Sequence, residues 1–188
     1  MSFMDTLAIS GSLRSDSSNT ALLKALQALA APRMRVTLYE GMAGLPPFDP
    51  GLEPEEAPDS VQAFRTQVQA AEGVIICTPE YAHGMPGILK NALEWTVASG
   101  EFVDKPVAAL SSSPTATGGE KALAWLTQTL AAMSAHIVPE SSQPIPFGRN
   151  RVKPDGGIVD PALEVTLRAV LDGLARAVEA RAQNGGQP

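Results

Sequence analysis

Short apolar runs alternate along this chain with stretches whose apolar residues recur every three or four positions. Leu7-Ala8-Ile9 reads as the core of a first strand. Residues 19–31 follow, with Leu22, Leu26 and Leu29 on one stripe, the spacing of a helix with one buried face. Val36-Thr37-Leu38-Tyr39 reads as a second strand, 44–58 as a loop rich in Pro and acid, and 60–71 as a helix with Ser60 in the N-cap position. Gly73-Val74-Ile75-Ile76-Cys77-Thr78 is continuous and β-branched, the pattern of a parallel strand buried on both faces. Pro86 opens a helix to about residue 98, since Pro in a first turn gives up an N–H that has no partner anyway. A fourth strand at 107–110, an amphipathic helix at 119–134 and a short fifth strand, His136-Ile137-Val138, complete the alternation. Residues 141–161 read as irregular, with a turn at Pro154-Asp155-Gly156-Gly157. A long helix spans 162–182, and 183–188 reads as a disordered tail.

Five strands alternating with five helices predict a doubly wound five-stranded parallel sheet with helices on both faces, as one domain over residues 1–188. Ligands of such sheets sit at the carboxyl ends of the strands. Three polar loops fall there: 10–19, 78–86 and 111–119. The net charge is −6, with no dense Lys/Arg cluster, which argues against a nucleic-acid or anionic-membrane partner. Cys77 is the lone cysteine, so an intrachain disulfide and a multi-cysteine metal site are excluded, and His83 and His136 lack metal-ligand spacing. No apolar run approaches the ~20 residues of a membrane span and no secretory signal opens the sequence, so a cytoplasmic location is expected.

The first loop, Ser10-Gly11-Ser12-Leu13-Arg14-Ser15-Asp16-Ser17-Ser18-Asn19, joins a strand to a helix. Hydroxyls, backbone N–H groups and a guanidinium at a helix N-terminus make an anion site, most simply for phosphate. Neither the dinucleotide pattern G-x-G-x-x-G nor the triphosphate pattern G-x-x-x-x-G-K-[ST] is present, which leaves a terminal phosphate monoester. The alternative is a surface turn with a helix cap, but a cap needs one such residue and not four. The second loop, Thr78-Pro79-Glu80-Tyr81-Ala82-His83-Gly84-Met85-Pro86-Gly87, is stiffened by two prolines and suits a flat heteroaromatic ring. It reads equally as a structural corner with Tyr81 and Met85 packed on the core. The third loop, Ser111-Ser112-Ser113-Pro114-Thr115-Ala116-Thr117-Gly118-Gly119, gains weight from its position at a strand end. Glu80 is a general acid or, more commonly for a loop carboxylate, a cap or ion-pair partner. His83 is a proton donor or a ring-edge or interface contact. Cys77 reads as a small buried hydrophobe, and Trp95 and Trp125 as core or interface residues.

Gly11-Ser12-Leu13-Arg14-x-x-Ser17-x-Asn19 and Pro79-Glu80-Tyr81-x-x-Gly84-x-Pro86-Gly87-x-Leu89-Lys90-Asn91-Ala92-x-x-Trp95, in order and about 60 residues apart, resemble the paired signatures of the NADPH-dependent FMN reductase family. That group includes chromate, azo and quinone reductases of flavodoxin-like fold. The resemblance implies one FMN per subunit, with Ser12, Arg14, Ser17, Ser18 and Asn19 on its phosphate. It implies Pro79, Glu80, Tyr81 and Ala82 along the isoalloxazine, and Ser112 or Ser113 with Gly118 on the other side. It also implies a homodimer or homotetramer. Ala82 stands where the family usually has Asn, and Thr127 where it often has Arg.

The activity so implied is hydride transfer from NADPH or NADH through bound FMN to a small-molecule electron acceptor: a quinone, an azo compound, free flavin or a metal oxyanion. No side chain is assigned as catalytic and no metal is expected, because the flavin carries the chemistry. Arg35 and Arg149 are candidates for reading the 2′-phosphate of NADPH. The competing expectations are a flavodoxin-like electron carrier and a flavin-binding regulatory protein with little turnover.

Overall fold

The structure, a computed structural model, describes residues 3–184. Strand β1 (Met4–Ser10) leads into α1 (Ser18–Ala30), β2 (Met34–Leu38), α2 (Asp59–Ala70), β3 (Gly73–Thr78), α3 (Gly87–Glu94) and β4 (Pro106–Ser113). Then come α4 (Glu120–Ala132), β5 (His136–Ile137), β6 (Gln143–Pro146), the single turn α5 (Gly148–Arg151) and α6 (Pro161–Asn184). The strands run parallel in the order β2-β1-β3-β4-β5, with β6 also paired to β4. The expected flavodoxin-like, doubly wound architecture is what the chain adopts.

The alternation of side chains along the strands builds two cores. Leu7, Ile9, Val74, Ile76, Val107 and Ala109 face the apolar stripes of α2, α3 and α4. Ala8, Ile75, Cys77, Ala108 and Leu110 face α1 and α6. Every residue of β3 is buried, because helices cover both of its faces. No helix among the described residues is long and apolar enough to cross a membrane.

Five expectations need correction, the first being the helix opened by Pro86: it spans Gly87–Glu94 and gives way to turns, with Thr96 and Val97 N–H bonded three residues back, rather than running to about residue 98. The fifth strand position is split: β5 pairs Pro106 and Val107, and β6 pairs Leu110 to Ser113 farther along β4. Residues 143–146 were hidden by Pro144 and Pro146, which cannot donate to a ladder. On an edge strand alternate N–H groups point away from the neighbour, so prolines two apart cost no sheet bond there. Strand β4 continues through Ser111-Ser112-Ser113, all buried, so a third of the expected third loop is sheet. Helix α2 starts at Asp59 after Pro58, which places Ser60 inside the helix. Finally, α6 continues to Asn184, so Gln183 is helical, and the rest of the expected tail, 185–188, lies outside the described residues.

Candidate functional site

The carboxyl ends of β1, β3 and β4 open on a cleft of about 240 Å³. Ten of the twelve residues singled out from sequence line it: Ser12, Arg14, Ser17, Ser18, Asn19, Pro79, Glu80, Tyr81, Ser112 and Ser113. Pro114 and Arg149 join them. Ala82 and Gly118 are not among the lining residues; each supports it from beside.

The first loop is held by its own hydroxyls. Gly11 N–H continues the sheet by donating to Cys77 O at 2.9 Å. A Cβ at Gly11 would sit 3.1–3.3 Å from Leu89, Thr78 and Pro79, so glycine lets the first two loops approach closely. Ser12 Oγ accepts from Arg14 N–H, and Ser17 Oγ caps α1 by accepting from Asn19 N–H. Both serines accept through oxygen and keep an O–H to donate. The Ser18 hydroxyl makes no hydrogen bond to another described residue. The start of α1 adds unpaired backbone N–H groups and the positive end of its dipole. With two guanidiniums nearby, the mouth of the cleft is rich in donors and cationic, the chemistry of an anion site.

Asn19 lines the cleft and also bonds inward. It is 3% exposed, donates through Nδ2 to Ser112 O at 3.3 Å, and accepts on Oδ1 from Cys77 Sγ at 3.2 Å. Its side chain therefore ties α1 to β3 and β4 beneath the cradle. Burial pushes the Cys77 thiol far up from its ordinary value, so it stays protonated as the donor.

The second loop turns at Ala82 and His83, with φ of 50° and 63°, while Tyr81 and Gly84 exchange N–H···O bonds of 3.0 Å. Both residues occupy the left-handed region, where L side chains are strained. Glu80 sits below this turn, and its Oε2 accepts from Lys121 and Ala122 N–H at 3.0 and 3.1 Å. Its Oε1 lies 3.5 Å from His83 Nδ1. Glu80 thus serves the N-terminus of α4 and fastens the second loop to the third, the capping alternative for this residue. Ser111 Oγ donates to Gly118 O at 2.9 Å, and Ser112 Oγ to Ile145 O at 3.1 Å. Gly118 has φ of 62°, and a Cβ there would lie 2.8 Å from Pro146 N. Only glycine lets the third loop fold against β6 in this way.

Part of the second sequence signature proves to be scaffolding. Asn91 donates through Nδ2 to Pro46 O and accepts on Oδ1 from Phe48 N–H, and Trp95 Nε1 donates to the same Pro46 O. These bonds pin the proline-rich loop onto α3. Trp95 is buried, but Trp125 is 59% exposed, with its ring over Gly84. Thr127 bonds back to its own helix, to Leu123 O and Ala124 O.

Of the two arginines proposed for an outer phosphate, Arg35 pairs bidentately with Asp5 at the amino end of the sheet, away from the cleft. Arg149 reaches the cradle from α5, its Nη2 3.5 Å from Asp16 Oδ2. No local pattern around residue 149 reports this; only the return of the chain along β6 brings it there.

The family described as NADPH-dependent FMN reductase matches residues 4–149. A protein named NAD(P)H-dependent FMN reductase from Pseudomonas aeruginosa is 33% identical over 170 residues, 89% of this chain and 91% of that one. A quinone reductase of Escherichia coli strain K12 is 31% identical over 159 residues, 83% and 85% of the two chains. The solved structure of a flavoenzyme NAD(P)H:(acceptor) oxidoreductase from Paracoccus denitrificans superposes with a TM-score of 0.85 at 29% identity, covering 94% and 98%.

Proposed function

The chain belongs to the NADPH-dependent FMN reductase family, and on that premise we propose that the cleft holds FMN and serves hydride transfer from NAD(P)H to a small-molecule acceptor of the quinone, azo, flavin or metal-oxyanion class. The observation that carries the placement is the convergence of three loops, distant in sequence, on one donor-rich cleft at the carboxyl ends of β1, β3 and β4. Its donor set fits a phosphate monoester. Ser12, Ser17 and Ser18 offer hydroxyl protons, the first turn of α1 offers N–H groups, and Arg14 and Arg149 offer charge. Pro79, Tyr81 and Pro114 offer flat apolar surface to a ring, and the Glu80–α4 bonds keep that surface in place. Bound FMN supplies the redox chemistry. The chain's own residues bind and orient it, and no side chain in the cleft is assigned a proton-transfer step.

We place the protein in the same proposal as a homo-oligomer of the cytoplasm. Tyr81 and Trp125, both more than half exposed, form an aromatic surface around Gly84 next to the cleft, of the kind a partner subunit covers. A co-substrate drawn from the cellular NAD(P)H pool and a buried, unpaired cysteine suit that compartment.

The deciding experiment is anaerobic mixing of the flavin-loaded protein with NADPH or NADH, followed by a panel of acceptors. Bleaching of the flavin band by one nucleotide, with recovery on adding a quinone, is the expected result. A protein that remains colourless after incubation with FMN overturns the reading. Reduction only through a partner reductase would make it an electron carrier.

A further inference from the structure

The fork of Arg14 is already filled. Its Nε and Nη2 donate to Asp16 Oδ1 at 3.2 and 2.9 Å, and Nη2 also reaches Asp16 Oδ2 at 3.0 Å. Arg149, 133 residues away, reaches the same Oδ2 at 3.5 Å. One carboxylate thus bridges the two cations at the mouth of the phosphate cradle, presenting two oxygens as a phosphate does. All three side chains are about half exposed, so they are free to change partners.

We infer that Asp16 is an internal stand-in for the ligand's phosphate: it holds Arg14 and Arg149 when the cradle is empty, gives them up when a phosphate monoester binds, and so sets the affinity for phosphorylated over unphosphorylated flavin. This rests on the FMN reading of the cleft. The electrostatics run one way. With phosphate present, the Asp16 carboxylate is a like charge beside it; with phosphate absent, the carboxylate stabilises the empty state. Both effects lower affinity for the phosphorylated ligand, and neither acts on a ligand lacking phosphate. Hydrogen bonding from Arg14 holds the Asp16 carboxyl below the usual carboxylate range, so the carboxylate is charged at neutral pH. Because the groups are exposed, the effect is modest and weakened by salt.

The test is titration of the flavin-stripped full chain with FMN and with riboflavin, following flavin fluorescence, for the wild type and Asp16→Asn. The substitution keeps the side-chain shape and removes the charge. The expected result is FMN bound about fivefold more tightly by Asp16→Asn, riboflavin bound equally by both, and the FMN gain shrinking as salt rises. In an Arg149→Ala background the gain should fall, because one of the released cations is gone. Equal or weaker FMN binding by Asp16→Asn overturns the exchange while leaving the FMN reading intact. A wild type that binds no FMN overturns that reading and the exchange with it. A melting temperature shared by wild type and variant separates the effect from a change in folding.

Discussion

The Cys77 thiol donates to Asn19 Oδ1 across 3.2 Å of buried interior, directly under the first loop. The loop's position therefore depends on a bond between two buried side chains. Cys77→Ala leaves the Asn19 oxygen without its donor, and Asn19→Ala leaves both Cys77 and Ser112 O unserved. Each should cost about 1–3 kcal/mol in urea unfolding. FMN affinity should fall in both, and more in Asn19→Ala. In the folded wild type the thiol should resist alkylation and react only as the chain unfolds.

Ala82 sits in the left-handed region with φ of 50°. Its methyl group is strained there, whereas Asn tolerates that conformation through local hydrogen bonding. Ala82→Asn should raise stability by about 0.5–1 kcal/mol in thermal or urea unfolding, and Ala82→Gly by a comparable amount. A loss of stability in both would show that the turn differs from the one described.

Arg149 and Arg14 line the cleft side by side, and the proposed function gives both to the FMN phosphate. Arg149→Ala and Arg14→Ala should each weaken FMN binding about 5–30-fold and leave riboflavin binding nearly unchanged. Titration of both flavins against each variant reads this directly. A loss shared equally by riboflavin would assign the arginines to the ring end of the cleft instead.

Lys105 is buried at the C-terminus of α2, where its ammonium donates to Gln69 O at 3.1 Å and Ala71 O at 2.6 Å. Burial holds its pKa down to about 8. Between that value and the ordinary lysine value near 10.4 the unfolded chain binds more protons than the folded one, so this site makes stability rise with pH. The buried charge is a cost present below pH 8 and relieved above it. Cys77 acts oppositely: its raised pKa keeps it protonated when folded, so stability is lost once the unfolded thiol ionises, above about pH 8.5. Comparison with Lys105→Met isolates the first effect. From about pH 7 to 9.5, wild-type stability relative to the variant should rise by on the order of 1–2 kcal/mol. A difference that is flat with pH would mean the ammonium keeps its ordinary pKa.

The sequence by itself determined the alternation of strands and helices, because period-two and period-3.6 burial is written locally in apolar spacing. Val74 to Cys77 could only be a strand covered on both faces, and the serines of the first loop could only crowd a strand-to-helix turn. It also put the hydroxyls and a guanidinium together at a helix N-terminus, a group of donors suited to an anion. Tertiary structure decided which of those groups are free to act. Asn19 and Glu80 both line the cleft, and the fold also bonds the first to Cys77 and Ser112 and the second to α4. The place of Arg149 beside Asp16, and β6 itself, were illegible for the same reason. A single arginine and a Pro-rich segment carry no local signal, and their partners, Asp16 and Ser112, lie far away along the chain. Local periodicity records what each segment buries, whereas the pairing of particular polar atoms is fixed only when distant loops are brought within hydrogen-bond distance.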